Sequence, residues 1–200
     1  FGLYGACSTI GEALMLSAVT VQGGYSDAVL ALTSSHFGSA EKQFRYPLEY
    51  GGQRPLSATW TVTGSGAFVV THTGGKARIT GATPGRVVDY GLKDSMNMGA
   101  CMAPAACDTI CGHLDDFGRQ PSDYDAVITG DLGSVGQTIL LELAKKRGYD
   151  LKDRHLDCGM LIFDPEEQDT HAGGSGCACS AVTLAAHILP KIERGEWRRV

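Results

Sequence analysis

The sequence predicts an α/β fold built from two similar halves, and three observations carry that expectation. First, one motif occurs twice. Ala6-Cys7-Ser8 opens an apolar helical stretch through Ile10, Ala13, Leu14, Ala18 and Val19, and Ala178-Cys179-Ser180 opens another through Val182, Leu184, Ala185, Ile188 and Ile192. Each cysteine stands sixteen positions before a glycine, Gly23 in the first copy and Gly195 in the second, and an extended stretch follows. A repeat of glycine-rich turn, helix and strand argues for two α/β units that face each other. Second, Asp125-Ala126-Val127-Ile128-Thr129 reads as a short buried strand ending at Gly130-Asp131-Leu132-Gly133, with an amphipathic helix over 138–147 behind it. Third, both cysteine-opened helices are apolar on more than one face, which places them between layers rather than on a surface.

In chain order, the first helix leads to an extended stretch from Asp27 to Leu32. The polar segment Thr33 to Pro55 reads as a loop or insertion above the sheet. Ala58 to Thr63 and Ala67 to Thr71 are strand candidates around Gly64-Ser65-Gly66, Gly74-Gly75 marks a turn, and Ala77 to Thr83 is a further strand candidate. Met96 to Leu114 reads as a helix disturbed by Pro104 and Gly112. The apolar run Cys158 to Phe163 reads as a strand, Gly173-Gly174-Ser175-Gly176 leads into the second repeat helix, and Pro190 predicts a kink late in it.

Composition narrows the function classes. In 200 residues, 43% hydrophobic and 20% charged side chains suffice for a real core. A formal net charge of −5 carries no electrostatic footprint for nucleic acid, and Lys145-Lys146-Arg147 and Arg198-Arg199 read as solvated helix ends. No run approaches the ~18 apolar residues of a membrane span, and the first residues lack the pattern of a signal peptide. Seven cysteines without framework spacing fit a reducing compartment. Cys101, Cys107 and Cys111 read as small buried helix residues, and Cys158, Cys177 and Cys179 lack the paired Cys-x-x-Cys knuckle of a zinc site, so no metal or cofactor is expected.

Longer stretches carry a resemblance. Gly5-Ala6-Cys7-Ser8-Thr9, Thr33-Ser34-Ser35-His36, Ala40 to Pro47, Glu49-Tyr50-Gly51-Gly52-Gln53, Thr61 to Ala67, Met102-Ala103-Pro104-Ala105-Ala106, Thr129-Gly130-Asp131-Leu132, Asp157-Cys158-Gly159 and Ala172 to Ala181 resemble the stage V sporulation protein AD family within the thiolase superfamily. The resemblance spans essentially the whole chain. It implies a thiolase-like duplicated αβαβα layered fold, incomplete at both ends, with residues 1–83 as the later part of the N-terminal half and 84–200 as most of the C-terminal half. It further implies a dipicolinic acid-binding protein of the spore dipicolinate uptake machinery. Such a protein acts as a peripheral partner of other stage V sporulation A membrane proteins, at the cytoplasmic face or the inner spore membrane of a bacterial spore-former. A homodimer, as in thiolase-like proteins, and Ca2+ carried only within the ligand chelate are compatible with the resemblance.

The site residues follow from both readings. Cys7 stands where catalytic thiolase-like enzymes carry the acyl-accepting nucleophile, and a helix N-terminus lowers a thiol's pKa. Its matched partner positions hold Asp131 and Ser175 instead of His or Asn, so the condensing reaction reads as lost, although an acyltransferase using Cys7 remains the rival. Cys7 also fits a plainer role as a small residue packing the helix start. His36, His155 and His171 are the histidine candidates, of which His36 and His171 adjoin turns. Lys42, Arg45 and Arg54, with Phe44, Tyr46 and Tyr50, suit a flat aromatic dicarboxylate as well as they suit a solvated loop. The expected ligand cleft is bounded by Cys7, the Gly130-Asp131 turn and the turn carrying Gly174 and Ser175. Asp131 opposes an anion there unless it holds an Arg, is protonated, or meets a ligand-bound Ca2+.

Overall fold

The computed structural model describes residues 1–44, 54–75 and 77–200, the backbone alone for 41–44. A single 3-10 turn, Ala6–Ser8, opens helix α1 (Thr9–Gln22), and strand β1 (Ala28–Ser35) follows. Helix α2 (Phe37–Phe44) precedes strands β2 (Trp60–Thr61) and β3 (Gly64–Thr71). The second half contributes α3 (Met98–Phe117), β4 (Val127–Thr129), α4 (Gly133–Lys146), β5 (His155–Asp157), α5 (Cys158–Leu161), β6 (Gly174–Ser175), α6 (Cys177–Thr183) and α7 (Leu189–Glu193).

The strands form three pairs among the described residues. β1 and β3 run antiparallel in a register from Ala28 opposite Thr71 to Ser35 opposite Gly64. β4 and β5 are parallel, as the strand, turn and helix pattern predicts. β2 and β6 are also parallel and join residues 60–61 to 174–175, so the two stretches of chain share a sheet edge.

α6 is the middle of the molecule. Ala178, Cys179 and Ala181 are fully buried, and these small side chains let backbones approach on several sides. On one side α6 meets β1, β3 and α1, where Ile10, Ala13, Ala31 and Ala181 share a core with Leu14 and Phe68. β3 approaches so closely that a side chain on Gly66 would stand 2.7 Å from the Ala181 methyl. On the other side Cys179 packs with Val62, Cys158 and Ile188. The two cysteine-opened helices thus lie side by side, as the repeat predicts. A third cluster, built on Cys107, Cys111, Leu132, Leu140 and Ala144, joins α3 to α4.

Several sequence expectations are corrected. Residues 77–83 form no strand; they lie over α3, with Gly81 against the Phe117 ring, Thr83 bonded to His113 and Arg86 paired with Asp108, so the α3 face takes the place of a neighbouring strand. The apolar run at 158–163 begins as the helical turn α5, and the strand precedes it at 155–157, because a short apolar run does not distinguish a buried strand from a buried helix. The segment from Thr33 is not all loop: Thr33–Ser35 complete β1, and α2 follows. Cys101 is exposed, whereas Cys107 and Cys111 are buried as expected. Arg198 and Arg199 form no strand but are tied to the entry of β4, their N–H groups donating to the Asp125 carboxylate. Pro190 acts one turn upstream: lacking an N–H, it follows a widened π turn at Leu184–Ile188. No helix among the described residues is long and apolar enough to cross a membrane.

Candidate functional site

A cavity of about 300 Å³ opens between the turn before α1, the end of β1, the turn after β4, the end of β6 and the start of α3. Cys7 stands on its floor, presented by the 3-10 turn before α1, and Ala6 just ahead of it holds a left-handed φ of +48°. A non-glycine residue in that region is strained, and such strain collects at sites whose geometry the surroundings fix. Asp131 enters from the turn after β4, Ser175 and Gly176 from the end of β6, and Ser35 and His36 from the end of β1. Met96, Met98 and Met102 form an apolar wall, and Tyr4 lies at the N-terminal side.

A buried polar network shapes the Asp131 turn from below. Asp157 is 1% exposed and accepts three hydrogen bonds: from the Thr129 hydroxyl at 2.6 Å, from Leu132 N–H at 2.8 Å and from Gly133 N–H at 3.0 Å. Because the Thr129 proton goes to Asp157, its oxygen accepts from His155 Nε2 at 2.9 Å, and His155 Nδ1 then accepts from the Gln137 amide at 3.0 Å. That chain holds a neutral imidazole, in agreement with burial lowering the His155 pKa. The network fixes residues 129–133 and therefore the placement of Asp131.

The opposite rim is equally constrained. Ser35 Oγ donates to Val62 O at 2.7 Å and accepts from Ala178 N–H at 3.0 Å, tying β1 to the start of α6. Gly176 has φ +104°, and a Cβ there would stand 3.0 Å from Ser35 Oγ, so glycine is required by both conformation and space. Its N–H donates to Asp131 Oδ2 at 3.1 Å, which joins the two turns across the cavity.

The electrostatics of Cys7 reverse the sequence expectation. Burial raises its pKa far above the ordinary thiol value, and the Asp131 carboxylate, to which the thiol donates a hydrogen bond, raises it further; only the Gly176 N–H acts the other way. The thiol is therefore a protonated donor, and the helix-start effect is outweighed. Asp131 is itself pushed up to about 6, first by burial and also by nearby Asp157, against the lowering bonds from Cys7 and Gly176 N–H. Cys179, the cysteine of the second repeat, is fully buried below the turn, its thiol 3.4 Å from Gly130 O, and burial holds it protonated.

The structure thus brings together Cys7, His36, Asp131 and Ser175 from the expected set. Gly174 lies behind the lining, packed against Ile162 and Phe163. Arg54 is also displaced from it: the guanidinium stacks 4.2 Å over the Trp60 ring and pairs with Asp169 at 3.2 Å, while Trp60 stacks in turn on Phe37. Its Nη1 is buried and has no hydrogen-bond partner among the described residues. Arg45, Tyr46 and Tyr50 lie outside the described residues. His155 belongs to the buried network, and His171 bonds Pro55 O and Asp169. Sequence reasoning missed Ser35, Asp157 and the three methionines as parts of the site. Ser35 and Asp157 both stand inside the motifs that carry the family resemblance, but nothing local reveals that their partners come from distant segments. Among the described residues, no group of three or more His, Cys, Asp or Glu side chains is arranged to hold a metal ion.

The profile of the family described as Stage V sporulation protein AD (SpoVAD) matches residues 1–200. The chain belongs to the stage V sporulation protein AD family. Stage V sporulation protein AD of Bacillus subtilis (strain 168) is 50% identical to it over 198 residues, 99% of this chain and 58% of that protein. The chain therefore spans a little over half the length of the curated relative it matches. Among solved structures, the tetronic acid condensing enzyme AbyA1 superposes with a TM-score of 0.58 over 96% of this chain and 58% of its own, at 16% identity. That likeness concerns the fold alone: this member of the stage V sporulation protein AD family has a thiolase-like α/β fold.

Proposed function

We propose that this chain forms the ligand cavity of a dipicolinate-binding sporulation protein in which the thiolase-like fold serves binding instead of turnover. The observation that carries the reading is the setting of Cys7, a half-buried thiol at the cavity that donates to Asp131. A nucleophile needs a base that takes its proton, and a partly ionised, buried carboxylate with a pKa of about 6 is a poor match for so weakly acidic a thiol. What remains is a preformed cavity with a thioether wall for a flat ring and polar groups at Ser35, His36, Ser175 and Asp131. In this reading Arg45 supplies cationic help from the 33–55 segment, whereas Arg54 is held by Trp60 and Asp169 away from the cavity; Gly174 shapes the turn beneath the ligand, and Ca2+ enters only within the ligand chelate. The protein acts peripherally with other stage V sporulation A membrane proteins of a spore-former, as a monomer or as a thiolase-like homodimer.

Calorimetric titration with dipicolinate tests the binding role. The catalytic rival is tested by incubation with acetyl-CoA followed by intact-mass measurement. The expected result is saturable dipicolinate binding and no acetylated Cys7. An acetyl adduct on Cys7 that is discharged by a second acyl substrate establishes the acyltransferase instead.

A further inference from the structure

Asp131 poses a problem for any anionic ligand, and its surroundings restrict the answer. The residue is 5% exposed and lines the cavity. The groups that act on it are the Cys7 thiol from the turn before α1, the Gly176 N–H before α6, the Asp157 carboxylate from β5, and the protonated, buried thiols of Cys158 in α5 and Cys179 in α6, while Cys177 lines the same cavity. Tyr4 and His36 are the other titratable groups on the described lining, which contains no Lys or Arg, and Arg54 is turned away toward Asp169. Asp131 thus has hydrogen-bond donors but no cation among the described residues, and a second carboxylate lies behind it.

Resting on the dipicolinate reading, we infer that Asp131 receives the ligand as a neutral carboxylic acid, so that each bound dianion brings one solvent proton into the cavity. The reasoning is one of charge. Two ionised carboxylates in contact within a water-poor site repel strongly, whereas a carboxylic acid donates its O–H to a carboxylate and turns repulsion into a charge-assisted hydrogen bond. Gly176 N–H and the Cys7 thiol still donate to the oxygens of the acid, so the cavity geometry survives protonation. Burial has already raised the free group to about 6, so that one further step in the same direction brings it to neutral pH. A neighbouring anion moves it further in the same direction.

The sign of the linkage follows. Below about pH 6 Asp131 is protonated in the free protein, and affinity is independent of pH. Above it the proton must be taken up on binding, and Kd rises toward tenfold per pH unit until the group's pKa in the complex is passed. A Ca2+ bridge between Asp131 and the ligand gives the opposite slope, because protons compete with the metal.

Titration calorimetry with dipicolinate between about pH 5.5 and 8.5, in two buffers of different ionisation enthalpy and with or without Ca2+, reads the proton stoichiometry directly. The expected result is uptake approaching one proton per ligand near pH 7.5 without Ca2+, and loss of both the uptake and the pH slope in Asp131→Asn. A flat Kd with no uptake in the unmodified protein overturns the inference while leaving dipicolinate binding intact, and so does affinity that requires Ca2+ and falls with acid. Absence of binding at every pH refutes the ligand reading, and this inference with it.

Discussion

Replacing Asp131 by Asn should stabilise the folded protein at alkaline pH and do nothing for it in acid. In the fold the Asp131 pKa stands at about 6 against an ordinary 3.8, with burial the largest cause. A group whose folded pKa is raised contributes stability that is fully present below its unfolded value and is lost as pH rises through the folded one. With about 1.4 kcal/mol for each pKa unit, the ionised carboxylate costs the fold ~3 kcal/mol above pH 7. Solvent screening does not reduce this much, because the residue is 5% exposed. Asparagine is nearly isosteric, retains an oxygen to accept from Gly176 N–H, and cannot ionise. Urea denaturation at a series of pH values from 4 to 8 should show the variant gaining ~2–3 kcal/mol at pH 8, with the gain shrinking to near zero by pH 4. A difference that is independent of pH, or a loss at pH 8, refutes the assignment of Asp131 as a carboxylate held out of its preferred state.

Other consequences are open to direct measurement. Iodoacetamide at pH 7.5, read by peptide mapping, should label exposed Cys101 well before Cys7, whose thiol is protonated and bonded to Asp131; faster labelling of Cys7 contradicts the electrostatic account. Gly176→Ala should lose ~2–3 kcal/mol, since φ +104° is a glycine conformation and the new methyl meets Ser35 Oγ. By contrast Gly112→Ala, inside α3 with nothing within 4 Å of the added methyl, should gain ~0.5–1 kcal/mol, both changes being read by urea denaturation. Asp157→Ala strands three donors that converge on one buried carboxylate and should cost ~3 kcal/mol or more, with a fall in the denaturation midpoint as the readout.

The sequence by itself determined the α/β class, the pairing of the two cysteine-opened helices and the convergence of Cys7, Asp131 and Ser175. Each is written locally, in a repeated pattern, a strand with its glycine turn, or a long motif. It failed at residues 77–83 and 158–163, where an apolar or β-prone run has the same local preference whether it meets a strand, a helix face or a turn. Only the tertiary structure decided the chemistry of the site. A helix start favours a thiolate, yet the depth at which Cys7 is buried and the carboxylate placed against it reverse that preference, because desolvation and an adjacent charge depend on what the rest of the chain packs around the group. In the same way Arg54, with a sequence context suited to a ligand, is taken up by Trp60 and Asp169, while Ser35 and Asp157 gain their importance from partners 27 to 143 and 24 to 28 positions away. Such contacts are set by packing geometry, and no local stretch of sequence encodes them.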